Sequence, residues 1–291
     1  METLKENPQF KQTYIKRKKS GDINIKSGNK IDQVTKWTIG TLAVLTVMAF
    51  FFFDYTGLQL SRAIPETAHN LRVMFFEPAL NHFSWGEAIY QIGITVGLGV
   101  LATIIGAIIA LFLSFLAAEN LSKAWISKTV RIIVAFIRAV PTVLWVLIFA
   151  IAAGLGSEAA VLGMLFHSIA YLVKAFSEAF EEVDPGILEA MRATGSNWWH
   201  IVTHGVLPST FTYLLSWTFL RFEINFGVAV AMGAAAGAGG IGFELFMASG
   251  FYFDLSEVGF ITYAILLIAI VLEIISTRLK NRYFPATSTE N

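Results

Sequence analysis

The chain contains no cysteine, so it has neither disulfides nor thiolate metal ligands. It also contains few charges: Lys, Arg, Asp and Glu make up 14% of its 291 residues, whereas an ordinary soluble domain has about 25%. No Gly-Lys dipeptide occurs, which excludes the phosphate-binding pattern G-x-x-x-x-G-K-[ST]. The net charge is zero and gives no indication of a nucleic-acid partner. The chain is 55% hydrophobic, and we expect its main solvent to be a lipid bilayer.

Long uncharged segments account for this composition. Seventeen uncharged residues lie between Lys36 and Asp54, and thirty-one lie between Glu87 and Glu119. A helix needs about 20 mainly apolar residues to cross a bilayer. The pattern predicts an all-α polytopic membrane protein with six spans, near residues 37–56, 89–117, 132–153, 157–176, 207–232 and 258–277.

The basic residues outside the spans predict the orientation of the chain. Seventeen Lys and Arg residues lie before the first span, in or beside the second–third and fourth–fifth loops, or after the last span. Only Arg62 and Arg72 lie in the other loops, so both termini are expected to be cytoplasmic. We expect four parts: a cytoplasmic polar segment (1–36), a first helix with an external loop (37–86), a core transmembrane domain (87–282) and a cytoplasmic tail (283–291).

A glycine-rich stretch, GAGGIG from Gly237 to Gly242, has the spacing of a dinucleotide-binding fingerprint. That fingerprint requires a preceding buried strand, whereas this stretch follows the predicted fifth span. We therefore predict that Gly237, Gly239 and Gly240 break a helix near a pore and allow close backbone approach. No nucleotide or other cofactor is expected to bind to this chain.

Few ionisable side chains lie within the predicted spans, and each is costly at bilayer depth. Arg138 lies in the third span near Pro141, which is expected to kink the helix. Arg221 and Glu223 lie in the fifth span, two residues apart, and are expected to point in different directions. One hypothesis is that Arg138 or Arg221 pairs with Glu223 across helices at a gate or path. The alternatives are a buried pair that only fixes helix packing and direct binding of an anion by these arginines.

The loop between the fourth and fifth predicted spans has clear helix boundaries. Asp184 is a suitable N-cap, Pro185 suits the first helical position, and Gly195 supplies a left-handed stop. Ser196 is expected to cap a second short helix, which Gly205 ends. The pattern predicts a helix–turn–helix on the cytoplasmic surface, joined directly to the fifth span.

This loop resembles the EAA loop of permease subunits in ABC importers, which reads E-A-A-x-x-x-G, then nine residues, then I-x-L-P. The matching residues are Glu189, Ala190, Gly195, Leu207 and Pro208. Met191 replaces the second alanine, and Gly205 replaces the isoleucine. Other segments are similar to those of phosphonate-type permeases over roughly residues 87–282: RAVP (138–141), EAFEEVD (178–184), RFEIN (221–225) and GAGGIG.

The resemblance implies the fold of a type I importer permease and a subunit that performs no covalent chemistry. Its coupling loop, residues 178–208 with Asp184 and Arg192, would dock on a pair of ATPase subunits that bind ATP and Mg²⁺. The implied partners also include a second permease copy and an external or periplasmic binding protein. The implied cargo, crossing a bacterial plasma membrane, is phosphonate or a related phosphorus oxyanion. The candidate path or gate residues are Arg138, Pro141, Arg221, Glu223, Asn225, Gly237, Gly239 and Gly240.

One departure leaves the exact oxyanion open: the family pattern has an arginine where this chain reads Phe226 and Gly227. Two other functional classes agree less well with the sequence. A secondary transporter or membrane scaffold would need no ATPase, but such transporters often have an internal repeat, and no repeat is evident. An intramembrane enzyme would need a catalytic constellation. His200 and His204 are four residues apart, yet they lack the glutamate of the zinc pattern H-E-x-x-H.

Overall fold

The computed structural model describes residues 16–17, 23–24, 30–53 and 59–283. The chain divides into two compact units, residues 1–64 and 65–291. The first unit contains two short antiparallel strands, β1 (Lys16–Arg17) and β2 (Ile23–Asn24), and helix α1 (Lys30–Phe52). The apolar side chains of α1 are exposed, as expected of a helix that contacts lipid.

Helices make up nearly all of the remaining described chain, which confirms the all-α fold class. They are α2 (Leu60–Phe76), α3 (Trp85–Ala117), α4 (Ala124–Ala139), α5 (Thr142–Ala153), α6 (Ser157–Glu181), α7 (Pro185–Ala193), α8 (Trp198–His200), α9 (Leu207–Ala236), α10 (Ile241–Gly250) and α11 (Leu255–Tyr283). A π-helical turn, Ile201–Val206, joins α8 to α9.

Among the described residues, five helices are long and apolar enough to cross a membrane. They are Gln33–Phe52, Trp85–Ala117, Ser157–Glu181, Trp198–Ala236 and Leu255–Arg278. Helices α4 and α5 pass the same test only as a pair bent by 89°, which gives up to six spans. The predicted third span, 132–153, therefore falls within this bent pair, and the kink expected at Pro141 is confirmed. Val140 and Pro141 have extended backbone between the two helices, because proline lacks an N–H and disfavours a helical residue before it.

The segments that meet at the two ends of the bundle are those expected when successive spans alternate in direction. At one end, the loop after α3 meets the segment after α6, where Trp198 Nε1 donates to the Leu121 carbonyl at 2.8 Å. At the other end, the start of α6 meets the glycine-rich stretch after α9, where Ser157 Oγ donates to the Ala238 carbonyl at 3.0 Å. We name these the cytoplasmic end and the outer end, following the orientation that the loop charges predict.

Helix α6 packs against α3, α5 and α9 in the second unit. Small residues allow these helices to approach closely. A Cβ atom on Gly106 of α3 would lie 3.0 Å from Ser168 Cβ of α6, and a Cβ on Gly163 of α6 would meet the backbone of Val146 in α5. The tight contacts fix the positions of the polar side chains that face the interior of the bundle.

Candidate functional site

Helix α7 is the first predicted helix of the EAA-like loop (residues 178–208), and its N-terminus forms as expected. Asp184 Oδ1 accepts a hydrogen bond from the Gly186 N–H at 2.8 Å. Pro185 occupies the first turn, where its missing N–H leaves no helical bond unmade. A cap of this type stabilises a helix by about 1 kcal/mol relative to alanine. The start of α7 is therefore set by local chemistry.

The C-terminus of α7 is also closed by backbone hydrogen bonds. Gly195 has φ 77°, and its N–H donates to the Arg192 carbonyl at 3.0 Å. The Ser196 N–H donates to the Met191 carbonyl at 3.1 Å. These two bonds form a Schellman motif, in which glycine is favoured because its backbone is left-handed. The predicted stop at Gly195 is confirmed.

The second half of the loop differs from the prediction in two places. Asn197, rather than Ser196, caps α8, since Asn197 Oδ1 accepts the backbone N–H three residues later at 2.9 Å. Gly205 does not end a helix, because it lies in the π-helical turn that continues into α9. A Cβ atom there would lie only 2.7 Å from Met191 Sδ. Close packing, and not a chain stop, therefore explains the glycine.

Contacts on one side attach α7 and the segment after it to the core at the cytoplasmic end and to the loop after α3. Leu188 is 4% exposed and belongs to the core cluster at this end of the bundle. Arg192 Nη2 donates to the Asn120 carbonyl at 3.2 Å, and Trp198 Nε1 donates to the Leu121 carbonyl. The helix is thus attached to the bundle at several points and is expected to move with it.

The other side of α7 has no partner within the described chain. Glu189, Ala190 and Ala193 are exposed, and Glu189 forms no hydrogen bond or ion pair with any described residue. Its carboxylate is therefore available to a partner outside the described chain. Leu207 is half-buried against the core at the cytoplasmic end, and Pro208 is exposed in the first turn of α9. In the EAA-like loop, one side of α7 is therefore attached to the bundle and the other side is exposed.

Four buried polar side chains form a second candidate site inside the bundle, which we name the central polar cluster. They are Thr103 of α3, Ser168 of α6, and Arg221 and Asn225 of α9, each at most 2% exposed. Asn225 Nδ2 donates to Thr103 Oγ1 and Ser168 Oγ, both at 2.8 Å. Arg221 Nε donates to Ser168 Oγ at 3.0 Å. Arg221 and Asn225 are four residues apart and share one face of α9.

The charge of the central polar cluster is not neutralised by a carboxylate in the described chain. The Arg221 guanidinium lies 5.3 Å from the centroid of the Tyr171 ring, which provides a cation–π contact. Arg221 Nη2 and Asn225 Oδ1 are buried without a protein hydrogen-bond partner. Buried polar atoms without partners are costly, and ionisable residues at membrane depth commonly mark functional sites.

The predicted ion pair of Glu223 with Arg138 or Arg221 is absent from the described residues. Glu223 is half-buried, two positions from Arg221 and therefore on another face of α9. Arg138 is exposed in the last turn of α4, and Pro141 lies at the 89° bend that follows. The intramembrane charges of a single chain therefore have separate surroundings.

The glycine-rich stretch interrupts the helix as predicted. Gly237, Gly239 and Gly240 have φ values of 61°, 76° and 77° between α9 and α10. The Gly240 N–H donates to Gln91 Oε1 at 3.0 Å, and Gln91 Nε2 donates to Glu244 Oε1 at 2.8 Å. Because the stretch follows a helix, it lacks the strand context that a dinucleotide fingerprint requires. Gln91 of α3 instead links the glycine-rich stretch to α10 through its two hydrogen bonds.

Carboxylates cluster at the outer end of the bundle. Burial raises the pKa of Glu244, and the nearby charges of Glu257 and Glu87 raise it further, while the hydrogen bond from Gln91 acts in the opposite direction. Glu257 is fully buried and accepts the His82 N–H at 2.9 Å. These surroundings make protonation of Glu244 easier than that of an ordinary glutamate.

Three of the outer side chains could supply metal ligands. Atoms of His82, Asp254 and Glu257 lie within 4.8 Å of one another. However, Glu257 Oε1 accepts the Asn81 and His82 N–H groups, and Glu257 Oε2 lies 2.8 Å from His82 Nδ1. The oxygens therefore already have protein partners, and the contacts fasten the loop before α3 to the start of α11.

Sequence reasoning did not identify Thr103, Ser168, Gln91 or Glu257 as site residues. Serine and threonine in apolar helices usually bond the carbonyl of the preceding turn, and both Thr103 and Ser168 do so here. Their second role, as acceptors for Asn225 and Arg221, depends on helix packing. The available signal was the polarity of Gln91 and Glu257 near the ends of apolar runs.

Comparison with known proteins places these features in a family. Residues 102–288 match the family described as "Binding-protein-dependent transport system inner membrane component". The fold is similar to a chain of the MetNI methionine ABC transporter in an inward-facing conformation. That comparison has a TM-score of 0.60 at 18% identity and covers 69% of this chain and 99% of that chain. At this identity the likeness concerns the fold alone.

Three relatives have sequences similar to part of the chain. The phosphate-import permease protein PhnE of Mycolicibacterium smegmatis is 35% identical over 52% of this chain and 29% of its own length. The phosphite transport system permease protein PtxC of Stutzerimonas stutzeri is 34% identical over 52% of this chain and 55% of its own length. The putative cryptic phosphonate transport system permease protein PhnE2 of Escherichia coli K12 is 37% identical over 42% of this chain and 98% of its own length. The chain thus spans 29% of the length of the first relative and 55% of the length of the second.

Proposed function

Because the chain belongs to the family of binding-protein-dependent transport system inner membrane components, a multi-pass membrane protein family, we propose that it forms the transmembrane path of an ABC importer. A separate pair of ATPase subunits hydrolyses ATP, and an external binding protein delivers the substrate. A second copy of the permease completes the path. The observation that carries this proposal is α7, which is fixed to the bundle on one face and has no partner among the described residues on the other.

The EAA-like loop is suited to transmit motion of the ATPase. A helix transmits displacement only if it does not bend or slide on its support. Helix α7 is capped at both ends, buried at Leu188 and hydrogen-bonded through Arg192 to the loop after α3. Glu189 and Ala190 lie on the free face and dock on the ATPase. Closure of the ATPase pair then moves the cytoplasmic ends of α3, α6 and α9 together.

The proposed substrate is a phosphorus oxyanion: phosphonate, phosphite or phosphate. The names of the three relatives support this class. The chain itself contributes a positive charge without a carboxylate partner, because Arg221 in the central polar cluster is not neutralised by any described residue. A positive potential at mid-membrane favours the passage of an anion and opposes the passage of a cation. The external binding protein selects among the three oxyanions.

Affinity purification of the tagged chain from its native membrane tests the proposal. We expect an ATPase subunit and an external binding protein to co-purify in a fixed ratio, and the binding protein to bind phosphonate, phosphite or phosphate. A chain that purifies alone and still moves solute in proteoliposomes without ATP would instead be a secondary transporter.

A pair of variants at Gly195 links the result to the coupling loop. A left-handed residue other than glycine costs about 1–2 kcal/mol, but asparagine tolerates this conformation better than a β-branched residue does. Nothing lies within 4 Å of a Cβ at this position, so backbone strain is the only local effect. We expect Gly195→Val to lose the ATPase during purification and Gly195→Asn to retain most of it. Equal retention by both variants contradicts the proposed role of the loop.

A further inference from the structure

A small cavity of about 170 Å³ lies between α4 and α6 near the cytoplasmic end of the bundle. Ala117, the last residue of α3, forms part of the cavity wall. The cavity therefore lies close to the membrane boundary and not at the central polar cluster. Since one water molecule occupies about 30 Å³ in the liquid, the cavity has room for about five waters. A tetrahedral anion with five heavy atoms is of comparable size.

Three cationic side chains line this cavity: Arg131, Arg138 and Lys174. Arg131 pairs with Glu181, and its Nε donates to the Ala117 carbonyl at 2.9 Å. Lys174 pairs with Glu178, which is the one carboxylate in the cavity wall. These two cations therefore already have protein acceptors.

Arg138 is the exception. It forms no hydrogen bond or ion pair with any residue that the structure describes, although it lies in the wall of the cavity. Its position in the last turn of α4 is favourable for a cation, but the carbonyl dipoles there do not neutralise a full charge. Because the wall contains more cationic than anionic side chains, the cavity has an excess of positive charge.

The rest of the wall strengthens this charge. Ala117, Val134, Ala135 and Val173 have no polar side-chain atoms, and Ser177 contributes one hydroxyl, which donates to the Lys174 carbonyl. Charges interact more strongly in such surroundings than in bulk water. Arginine also presents several N–H donors in one plane, which match two oxygens of a phosphate-type group.

We propose that this cavity binds the oxyanion group of a phosphate, with Arg138 as the principal ligand and Lys174 as a second cation. The repulsion from Glu178 is limited because its carboxylate is held by Lys174. Two sources could supply the group: a free phosphate in the cytoplasm, or the headgroup of an anionic phospholipid in the inner leaflet. This binding does not depend on the proposed transport function, since it concerns the permease alone.

The test uses the purified full chain in nanodiscs of phosphatidylcholine, without ATPase or binding protein. Equilibrium dialysis with radiolabelled inorganic phosphate measures the free anion. Native mass spectrometry, after exposure to phosphatidylglycerol, measures the retained lipid. We expect at least one of the two ligands to bind, and we expect Arg138→Gln to lower the affinity for that ligand at least tenfold. Lys174→Gln should lower the affinity less, because Lys174 also pairs with Glu178.

Lys128→Gln is the matched control, since Lys128 is an exposed cation on the same helix but is not in the cavity wall. It should bind the ligand as the unaltered chain does. Phosphate binding without lipid retention identifies a free anion, and lipid retention without phosphate binding identifies a headgroup, so either supports the site. Absence of both ligands, or equal binding by the Arg138→Gln and Lys128→Gln variants at unchanged thermal stability, overturns the proposal.

Discussion

The sulfur of Met191 lies 2.7 Å from the point that a Cβ atom on Gly205 would occupy. These are the two positions at which the loop departs from the EAA pattern, which has alanine in place of Met191 and isoleucine in place of Gly205. A large side chain on α7 fills the space left by the missing side chain on the π-helical turn. The two departures therefore compensate each other in volume and keep α7 packed against the start of the fifth span.

This compensation predicts a non-additive pair of substitutions. Gly205→Ile alone overpacks the contact with Met191 and should destabilise the chain by about 1–3 kcal/mol. Met191→Ala alone leaves a gap beside Gly205 and should also destabilise it. The double variant restores the EAA pattern and should be more stable than Gly205→Ile alone. Midpoints of thermal unfolding in detergent measure all three, and strictly additive effects would show that the residues do not share this space.

The central polar cluster predicts a large effect for a small truncation. Ser168→Ala removes the acceptor of Arg221 Nε and one acceptor of Asn225 Nδ2 in the buried interior. A buried donor left without a partner costs about 1–3 kcal/mol, so the unfolding midpoint in detergent should fall clearly.

Ser177→Ala provides the control for that truncation. Ser177 is a buried serine on the same helix, and its Oγ donates only to the Lys174 carbonyl in its own helix. Its loss leaves no charged donor without a partner and should have a smaller effect. If the two alanine variants unfold at the same temperature, Ser168 does not support Arg221.

Glu244 predicts a pH dependence of stability. Burial raises its pKa above the ordinary value of 4.5. A carboxyl group with a raised pKa in the folded state destabilises that state when it ionises. This destabilisation is absent at pH values below the pKa of the unfolded state. It grows as the pH rises towards the higher pKa of the folded state, and it is complete above that pKa. Glu244→Gln retains the acceptor for Gln91 and should therefore raise the unfolding midpoint at pH 7 more than at pH 4.

A second carboxylate variant separates this effect from general charge removal. Glu66→Gln, an exposed carboxylate on α2, should change the midpoint little at either pH. A Glu244→Gln midpoint that is raised equally at both pH values would show that ionisation of Glu244 is not the cause.

Features set by neighbouring residues could be predicted from the sequence. Asp184, Pro185 and Gly195 define the ends of α7 through hydrogen bonds within a few residues, and the structure forms those ends. The left-handed glycines after α9 are similarly local. The kink at Pro141 is local as well, because proline restricts its own backbone and that of the preceding residue, although its local effect does not set the bend angle of 89°.

Features that depend on helix packing could not be predicted. The spacing of Arg221 and Glu223 indicated buried charge but not its neighbours, and the partner of Arg221 is a neutral serine 53 positions away in α6. Gly205 was interpreted as a helix stop because glycine often ends helices. Its actual cause is the Met191 side chain on another helix, which no local pattern reveals.

Cross-linking from the free face of α7 tests the central claim most directly. The chain has no cysteine, so Ala193→Cys provides a single reactive site on the exposed face of α7, and Ser249→Cys provides one at the outer end of the bundle. In native membranes we expect the Ala193→Cys chain to cross-link to an ATPase subunit, with a yield that changes when ATP is added. The Ser249→Cys chain should form no such product. Absence of an ATPase cross-link from Ala193→Cys, in membranes where the chain still transports solute, would contradict the account.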